Sequence, residues 1–302
     1  MDYYLTEGLE GIEHHKYRDI RTFKEAVDSR ADLLLSGKAD ESLPPYLIFS
    51  PVTLQQLANL DRLRKTCYKR LRFLYLNEPK VLIVKYMPDA VHELAARHFD
   101  ATIQQKIREG GQWPEIAVMG NTNYQGTLSG KEPDGSFRPL RARPDHNDWP
   151  TVILECGVSE IPRRLTADRR WWIEHSKGAV KIVLLFFASL KNRTIRIELW
   201  KGDTVENQHT NGNDKDQVTG PRLKRTINIT PDSVTGAPLK LKFKDIFLRK
   251  PKKRHGEANY IITEYDLRDY YNHIWPPAPV VSSQDESCKS ALLTSRVNCS
   301  QS

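Results

Sequence analysis

The 302-residue sequence predicts an α/β protein. Helical patterns dominate its first third, and strand patterns dominate the region that begins at residue 116. Between residues 151 and 188, two near-continuously apolar segments flank an amphipathic one, as in a strand–helix–strand unit. Apolar strands of this kind are typical of a sheet that is buried on both faces. We therefore expect a mixed sheet flanked by helices, with a helical addition on its N-terminal side.

Helix signals come first along the chain. Thr22 and Glu25 form a capping-box pattern that predicts a helix through residue 35. A second helix is expected over residues 53–76, where leucines recur on one side and basic residues on the other. Residues 81–85 predict a short buried strand, and a long helix is expected over residues 88–111, ending at two glycines.

Strand signals then follow one another at short intervals. Strands are expected over residues 116–124, 130–138, 151–158, 180–188, 193–201, 225–230 and 239–243. A helix with Pro162 in its first turn is expected over residues 161–175. Residues 202–220 predict a polar loop, and residues 263–274 predict the final helix.

Composition divides the chain into three parts. Residues 1–80 form the expected N-terminal helical addition, and residues 81–275 form the expected α/β domain. Residues 276–302 are rich in serine and poor in apolar residues, which predicts a disordered tail.

Charge and composition bound the function. The formal net charge of +8 favours an anionic partner, of which nucleic acid is the commonest. The longest apolar run, residues 182–190, is about half the length of a membrane-spanning helix, so no membrane association is expected. The four cysteines lack metal-ligand spacing, which fits a reducing intracellular compartment, nucleus or cytoplasm. They are Cys67, Cys156, Cys288 and Cys299.

Two carboxylates stand in unusual strand contexts. Asp134 follows Pro133 in a turn-rich strand, and Glu155 lies inside an apolar strand where an unpaired charge is costly to bury. Adjacent strands lie about 5 Å apart, so both side chains could converge on one Mg²⁺ ion in a phosphodiester site. The alternative for Glu155 is an ion pair with an arginine of the following helix.

The order of these motifs resembles the PD-(D/E)xK restriction-endonuclease-like superfamily, in which a strand with Pro-Asp precedes a strand with Glu-x-Lys, a helix and another buried strand. DWPTVILECGVSE followed by RLTADRRWWIEHSKGAVKIVLLFF resembles a group of fungal members and bacterial proteins predicted to be restriction endonucleases. The similarity spans residues 81–200 and continues more weakly through residue 274. It implies a restriction-endonuclease-like fold and a metal-dependent nuclease that acts on nucleic acid, with DNA favoured over RNA.

The resemblance also implies roles for single residues. It makes Asp134 and Glu155 catalytic residues and ligands of Mg²⁺, with Mn²⁺ a possible substitute. It matches Glu93 to an acidic residue of the superfamily's first helix and makes it a further metal ligand. The alternative for Glu93 is a solvated helix residue.

One superfamily residue is missing from the pattern. The lysine that stabilises developing negative charge should stand at Gly157, or four residues after Asp168, where the chain has Trp172. The loss predicts impaired catalysis, or an inactive member that keeps the fold as a nucleic-acid- or protein-binding module. Basic residues in and after the helix are the candidates to replace the lysine. They are Arg163, Arg164, Arg169, Arg170, Lys177 and Lys181.

The Trp171–Trp172 pair has two interpretations. Tryptophans between basic residues could stack on nucleic-acid bases. Beside an apolar strand they are more often part of the core, and we expect core packing here.

A basic segment lies near the C-terminal end of the domain. Lys240 and Lys242 alternate and would project from one face of a strand. Lys250, Lys252, Lys253 and Arg254 form a run that fits nuclear import or phosphate contacts. Both groups are candidate nucleic-acid-binding residues. The alternative is a solvated loop beside a sheet edge that lysines protect.

Overall fold

The computed structural model describes residues 10–35, 43–86, 90–120, 122–126, 129–158, 162–206 and 217–276. Its helices are α1 (Ile20–Leu35), α2 (Leu54–Cys67), α3 (Ala90–Glu109), α4 (Pro162–His175), α5 (Phe243–Phe247) and α6 (Glu264–Ile274). Its strands are β1 (His14–Lys16), β2 (Tyr46–Ser50), β3 (Leu71–Leu76), β4 (Val81–Tyr86), β5 (Ile116–Met119), β6 (Tyr124–Gln125), β7 (Ser129–Lys131), β8 (Gly135–Pro139), β9 (Val152–Val158), β10 (Ile182–Ser189), β11 (Thr194–Glu206), β12 (Gln217–Ile229), β13 (Val234–Thr235), β14 (Leu239–Leu241) and β15 (Tyr260–Ile262).

The strands form two large sheets and a small hairpin. The first sheet has the order β1-β2-β4-β3-β7-β6, and the second has the order β13-β12-β11-β10-β9-β8-β5. Strands β14 and β15 form the hairpin. In the second sheet β9 and β10 pair in parallel, with α4 as the crossover, while the neighbouring pairs are antiparallel. This mixed α/β architecture confirms the predicted fold class and its strand–helix–strand unit.

Three apolar clusters hold the layers together. Helices α1 and α2 cover the outer face of the first sheet, and α3 and α6 cover the outer face of the second. The cluster between them joins the inner faces of both sheets to α4. Burying a large apolar side chain contributes about 1.5–3 kcal/mol, so this inner cluster fixes where the two sheets meet.

The predicted second helix is too long. The capping box of Thr53 and Gln56 starts α2 as expected for a helix near residue 53, but the helix ends at Cys67. The chain then returns as β3, in which all six residues are buried. The leucines at the end of the predicted helix therefore belong to a strand that is covered on both faces.

Two predicted strands are each divided between the sheets. The strand expected over residues 130–138 consists of β7 in the first sheet and β8 in the second. The strand expected over residues 116–124 likewise separates into β5 and β6. Residues 132–134 therefore carry the chain from one sheet to the other, and this transition places Asp134.

Other boundaries differ by less. Helix α1 begins at Ile20, because Asp19 rather than Thr22 accepts the first capping bond: Thr22 N donates to Asp19 Oδ1 over 2.8 Å. Strands β11 and β12 extend to Glu206 and from Gln217, so both ends of the predicted polar loop, residues 202–206 and 217–220, are strand, and residues 207–216 lie outside the described residues. The start of the long helix at Pro88 lies outside the described residues.

The division into domains stays a prediction. Within residues 1–80, strands β2 and β3 accompany the expected helices, and both pair with β4 beyond the expected boundary. Residues 277–302, which contain almost all of the predicted tail, lie outside the described residues. In the part of the chain that the structure describes, no helix is long and apolar enough to cross a membrane.

Candidate functional site: a buried ionic cavity

Charged side chains from both sheets and from α4 converge on one space between the sheets, which we call the ionic cavity. Its charged lining is Arg72, Lys85, Lys131, Glu132, Asp134, Glu155, Arg164 and Asp168. Its other walls are Tyr46, Phe73, Leu74 and Ile83. The cavity is narrow and partly open to solvent. None of the charged residues is more than 8% exposed, so each charge needs a partner nearby.

Strand pairing places the two predicted carboxylates opposite each other. Gly135 of β8 pairs with Leu154 of β9, so Asp134 and Glu155 are the next two facing residues of this antiparallel pair. Leu154 and Cys156 point into the cluster under α3, which turns Glu155 towards the other face of the sheet. Both carboxylates line the ionic cavity and therefore converge on one space, as the sequence predicts, and both are buried there.

Asp134 is held in its ionised form. Cys156 N donates to Asp134 Oδ2 over 2.8 Å. Lys85 Nζ and His92 Nε2 lie 3.6 and 3.4 Å from the same oxygen. Burial alone would raise the pKa of Asp134, but Lys85, His92 and the amide bond outweigh it, so the pKa is well below its usual range.

Glu155 has the opposite electrostatic balance. Its Oε1 accepts a 2.6 Å hydrogen bond from Trp172 Nε1 and lies 3.0 Å from Lys131 Nζ. Burial, with the charges of Asp134 and Asp168, raises the pKa of Glu155 to about 7 despite Lys131.

Lys131 joins Glu155 to a third carboxylate. Its Nζ lies 3.1 Å from Asp168 Oδ1, and Arg164 Nη2 lies 3.1 Å from the same oxygen. Burial would raise the pKa of Asp168, but Arg164 and Lys131 lower it below its usual range. The helix arginine therefore pairs with Asp168, and the cation beside Glu155 comes from β7.

The resemblance expects a lysine at position 157 or 172, and its absence there predicts impaired catalysis. The contacts described above bring other cations to the two carboxylates. Gly157 and Trp172 indeed carry no positive charge, but Lys131 and Lys85 bring ammonium groups beside Glu155 and Asp134. Neither lysine was among the residues expected to replace the missing lysine, which were basic residues in and after α4. Two signals were available: Lys85 interrupts an apolar strand, and Lys131 stands three residues before Asp134.

Glu93 is not part of this cavity. It is exposed in the first turn of α3, where its Oε1 accepts a 2.9 Å hydrogen bond from Arg97 Nε. The neighbouring His92 points inward instead and reaches Asp134. The structure therefore does not bring Glu93 together with the two carboxylates.

The tryptophan pair belongs to the core, as predicted. Trp171 and Trp172 are both fully buried. Trp171 Nε1 donates to Ser129 Oγ over 2.6 Å, while Trp172 binds Glu155. Burial of both rings removes them as base-stacking surfaces.

The structure separates the basic residues into two surfaces. One is a depression, here called the basic depression, lined by Leu199, Lys201, Lys224, Arg225, Lys240 and Lys242. Lys240 and Lys242 were predicted from the sequence, whereas Lys224 and Arg225, which come from β12, were not. Leu199 belongs to the cluster under α3, so the depression lies on the face of the second sheet opposite Glu155.

The second surface is the basic loop, defined as Lys250, Lys252, Lys253 and Arg254. All four side chains are exposed. The loop folds around Glu257, which accepts hydrogen bonds from Arg249 and from the Lys252 amide. Arg249 is thus engaged internally, and the four exposed residues remain the candidates for phosphate contacts.

A metal ion in this cavity would have to be held by the carboxylate pair. Within the described ranges, no group of three or more His, Cys, Asp or Glu side chains is arranged to hold a metal ion. Asp134 and Glu155 nevertheless fit a hydrated Mg²⁺, which commonly takes one or two carboxylates and several waters. The charge of Asp134 contributes to the raised pKa of Glu155, and a divalent ion between them would relieve that repulsion. Lys85 and Lys131 compete for the same oxygens.

Comparisons with known proteins give distant likenesses to solved structures only. No family model matches the chain, and no curated protein matches it. Among solved structures, it is similar to a "putative nuclease belonging to DUF820" from Anabaena variabilis, at 13% identity and a TM-score of 0.41. The match covers 73% of this chain and 99% of the other. A likeness this distant leaves function to be argued from the chain's own residues.

Proposed function

We propose that the protein is a divergent, metal-dependent nuclease-like protein that acts on the phosphodiester bonds of nucleic acid, with DNA favoured over RNA. One observation carries the proposal. Asp134 and Glu155 face one cavity from neighbouring strands, and Lys131 Nζ lies 3.0 Å from Glu155 Oε1. A carboxylate pair beside an ammonium group is a suitable arrangement for phosphodiester hydrolysis.

Each residue has a distinct task in this proposal. Asp134 and Glu155 would hold Mg²⁺, with Mn²⁺ as a substitute, and the ion when bound supplies Lewis-acid stabilisation of the reacting phosphate. Lys131 would stabilise negative charge that develops on the phosphate, the task that the superfamily assigns to its missing lysine. Trp172 and Asp168 are positioning residues, since they hold Glu155 and Lys131 through direct contacts.

Slow turnover follows from the same contacts. Both carboxylates already have a lysine partner, so a divalent ion must displace an ammonium group before it can bind. We therefore expect weak metal affinity and slow cleavage.

A second function is favoured by the burial of the cavity. The paired carboxylates are stable without any ion, and the basic depression lies on the other face of the sheet. An inactive module that binds nucleic acid or protein would need only the fold and its basic surfaces.

A nuclease assay separates the two functions. Purified full-length protein is incubated with DNA and RNA in Mg²⁺ or Mn²⁺, together with Asp134→Ala, Glu155→Ala and Lys131→Met. We expect slow cleavage that both carboxylate substitutions abolish and that Lys131→Met lowers about a hundredfold. Glu93→Gln, an exposed change, is the matched control and should leave the rate unchanged. Cleavage that survives both alanine substitutions would exclude the proposed site, and no cleavage at all would favour the binding module.

A further inference from the structure

Two cations lie directly opposite each other on the wall of the ionic cavity. Arg72 of β3 and Lys85 of β4 are paired residues of an antiparallel ladder, and both line the cavity. Like charges in this arrangement repel each other and destabilise the strand pair. Such a pair is expected where an anion compensates it.

Only Lys85 of the two cations forms an ion pair with a carboxylate among the described residues. Lys85 Nζ contacts Asp134 and donates to Cys156 O over 2.8 Å. Arg72 is 8% exposed, and its Nη1 donates to the backbone oxygens of Lys69 and Leu71 over 3.1 and 3.2 Å. Within the described residues Arg72 forms no ion pair, and its buried Nε has no hydrogen-bond partner. A buried guanidinium in this state is costly unless an anion approaches it.

Glu132 is the carboxylate that partly compensates Arg72, because Arg64 and then Arg72 oppose the rise that burial causes in the pKa of Glu132. Both carboxylate oxygens of Glu132, however, already accept hydrogen bonds of 2.7 Å from Arg64. The cavity lining holds four cationic and four anionic side chains, and Arg64, which lies outside the lining, adds a cation that Glu132 shares with Asp61. The four lining cations are Arg72, Lys85, Lys131 and Arg164, and the four anions are Glu132, Asp134, Glu155 and Asp168.

We propose that Arg72, assisted by Lys85, forms a subsite that binds a phosphate group in the ionic cavity. The guanidinium fork matches two phosphate oxygens, and Arg72 still has a donor to offer. The proposal rests on the proposed function for the source of the phosphate, which would be the backbone of the nucleic acid. Free phosphate has the same chemistry, so the two sources are tested separately.

Phosphate binding is measured without metal, so that it does not depend on cleavage. Inorganic phosphate is titrated into the full-length protein in EDTA, by calorimetry and by the rise in Tm. Wild type should bind, and Arg72→Met should bind about tenfold more weakly or worse. Arg70→Met removes an exposed arginine two residues away and is the matched control, with wild-type affinity expected. Arg72→Lys keeps the charge and should retain part of the affinity.

Several results overturn the subsite. Equal phosphate affinity in wild type and Arg72→Met would do so, as would no binding to wild type. If Arg72→Met fails to fold, Arg72→Lys and Arg72→Gln replace it. A phosphate affinity equal to that of wild type in both of these folded variants would also exclude the subsite.

Two further measurements identify the source of the phosphate and test the proposed function separately. A short DNA oligonucleotide should compete with inorganic phosphate in wild type if the subsite takes backbone phosphates. Lack of competition would overturn the nucleic-acid source and leave a site for free phosphate. Arg72-dependent phosphate binding without any cleavage would contradict the proposed function while supporting the subsite, so the two failures are distinguishable.

Discussion

At the scale of residues, Arg64 anchors the segment that contains Asp134 by binding Glu132. Its Nη1 and Nη2 atoms donate to the two carboxylate oxygens of Glu132, and Nη2 also donates to Asp61. Glu132 lies two residues before Asp134, at the point where the chain passes from the first sheet to the second. The Arg64–Glu132 pair is buried, which makes it a fixed support for that transition.

Replacing Arg64 by Met should destabilise the protein strongly, because Glu132 would be left buried without a cation. Breaking a buried pair typically costs about 3–5 kcal/mol. Burial already raises the pKa of Glu132, and the loss of Arg64 would raise it further. The variant should therefore lose more stability at pH 8 than at pH 5, where Glu132 takes up a proton. Urea unfolding at both pH values measures this, with the exposed Arg62→Met as control. An equal loss at both pH values would contradict the argument.

Glu257 provides a second pH-dependent contact. Its hydrogen bonds to Arg249 lower its pKa to about 2, below its usual value of 4.5. A lowered folded-state pKa stabilises the protein above pH 4.5, and this contribution is lost as pH falls towards 2. Glu257→Gln should therefore be less stable than wild type at pH 7, and the difference should shrink between pH 4.5 and 2. Tm as a function of pH measures the difference, and the exposed Glu78→Gln should show none. A constant difference across that range would show that the pair does not titrate as argued.

At the scale of elements, α4 and β7 illustrate what the sequence could and could not predict. The Pro-Asp and Glu motifs located Asp134 and Glu155, because each stands in a strand pattern that is visible locally. Lys131 was missed because its contact with Glu155 depends on how β7 of the first sheet lies against β9 of the second. The register within a sheet follows from apolar alternation, whereas the packing of two sheets depends on side-chain shapes far apart in sequence.

The same distinction explains the fold predictions. The β9–α4–β10 unit was predicted because its apolar strands and the helix that begins at Pro162 are close in sequence. Strand β3 was predicted as helix because its leucines continue the apolar pattern of α2. Its partners, β4 and β7, decide that it is a strand.

Helix α6 tests the contribution of a local signal. Thr263 and Asp266 form a capping box, in which Thr263 Oγ1 accepts from Asp266 N and Asp266 Oδ2 accepts from Thr263 N. Thr263→Ala should cost about 1 kcal/mol of stability, measured by urea unfolding. Thr66→Ala near the end of α2 removes a threonine that caps no helix start, and its effect should stay within about 0.5 kcal/mol. Equal effects of the two substitutions would show that the box adds nothing.

At the scale of the whole molecule, the second sheet separates two kinds of site. The ionic cavity lies on its inner face, and the basic depression lies on its outer face. Nucleic acid that lies in the depression is therefore not placed over Asp134 and Glu155 by that contact alone. Within the depression, Lys201 pairs with Asp245 and Lys224 with Asp203, so part of its charge is already balanced inside the molecule.

The salt dependence of DNA binding distinguishes the basic depression from the basic loop. We prepare two full-length variants, each with four cations replaced by alanine. One changes Lys224, Arg225, Lys240 and Lys242, and the other changes Lys250, Lys252, Lys253 and Arg254. Because both remove the same net charge, each controls for the other.

Each phosphate contact adds about 0.9 to the slope of log K against log salt, so loss of four contacts lowers it by about 3.6. We expect the slope to fall more in the depression variant than in the loop variant. A concave surface lined by cations from separate strands produces a stronger positive potential at a bound phosphate. Affinity for a DNA duplex is measured by fluorescence anisotropy over a range of salt concentrations. Equal small losses would mean that net charge alone attracts DNA. A loss confined to the loop variant would assign the phosphate contacts to Lys250, Lys252, Lys253 and Arg254, and would leave the depression as a solvated face of the sheet.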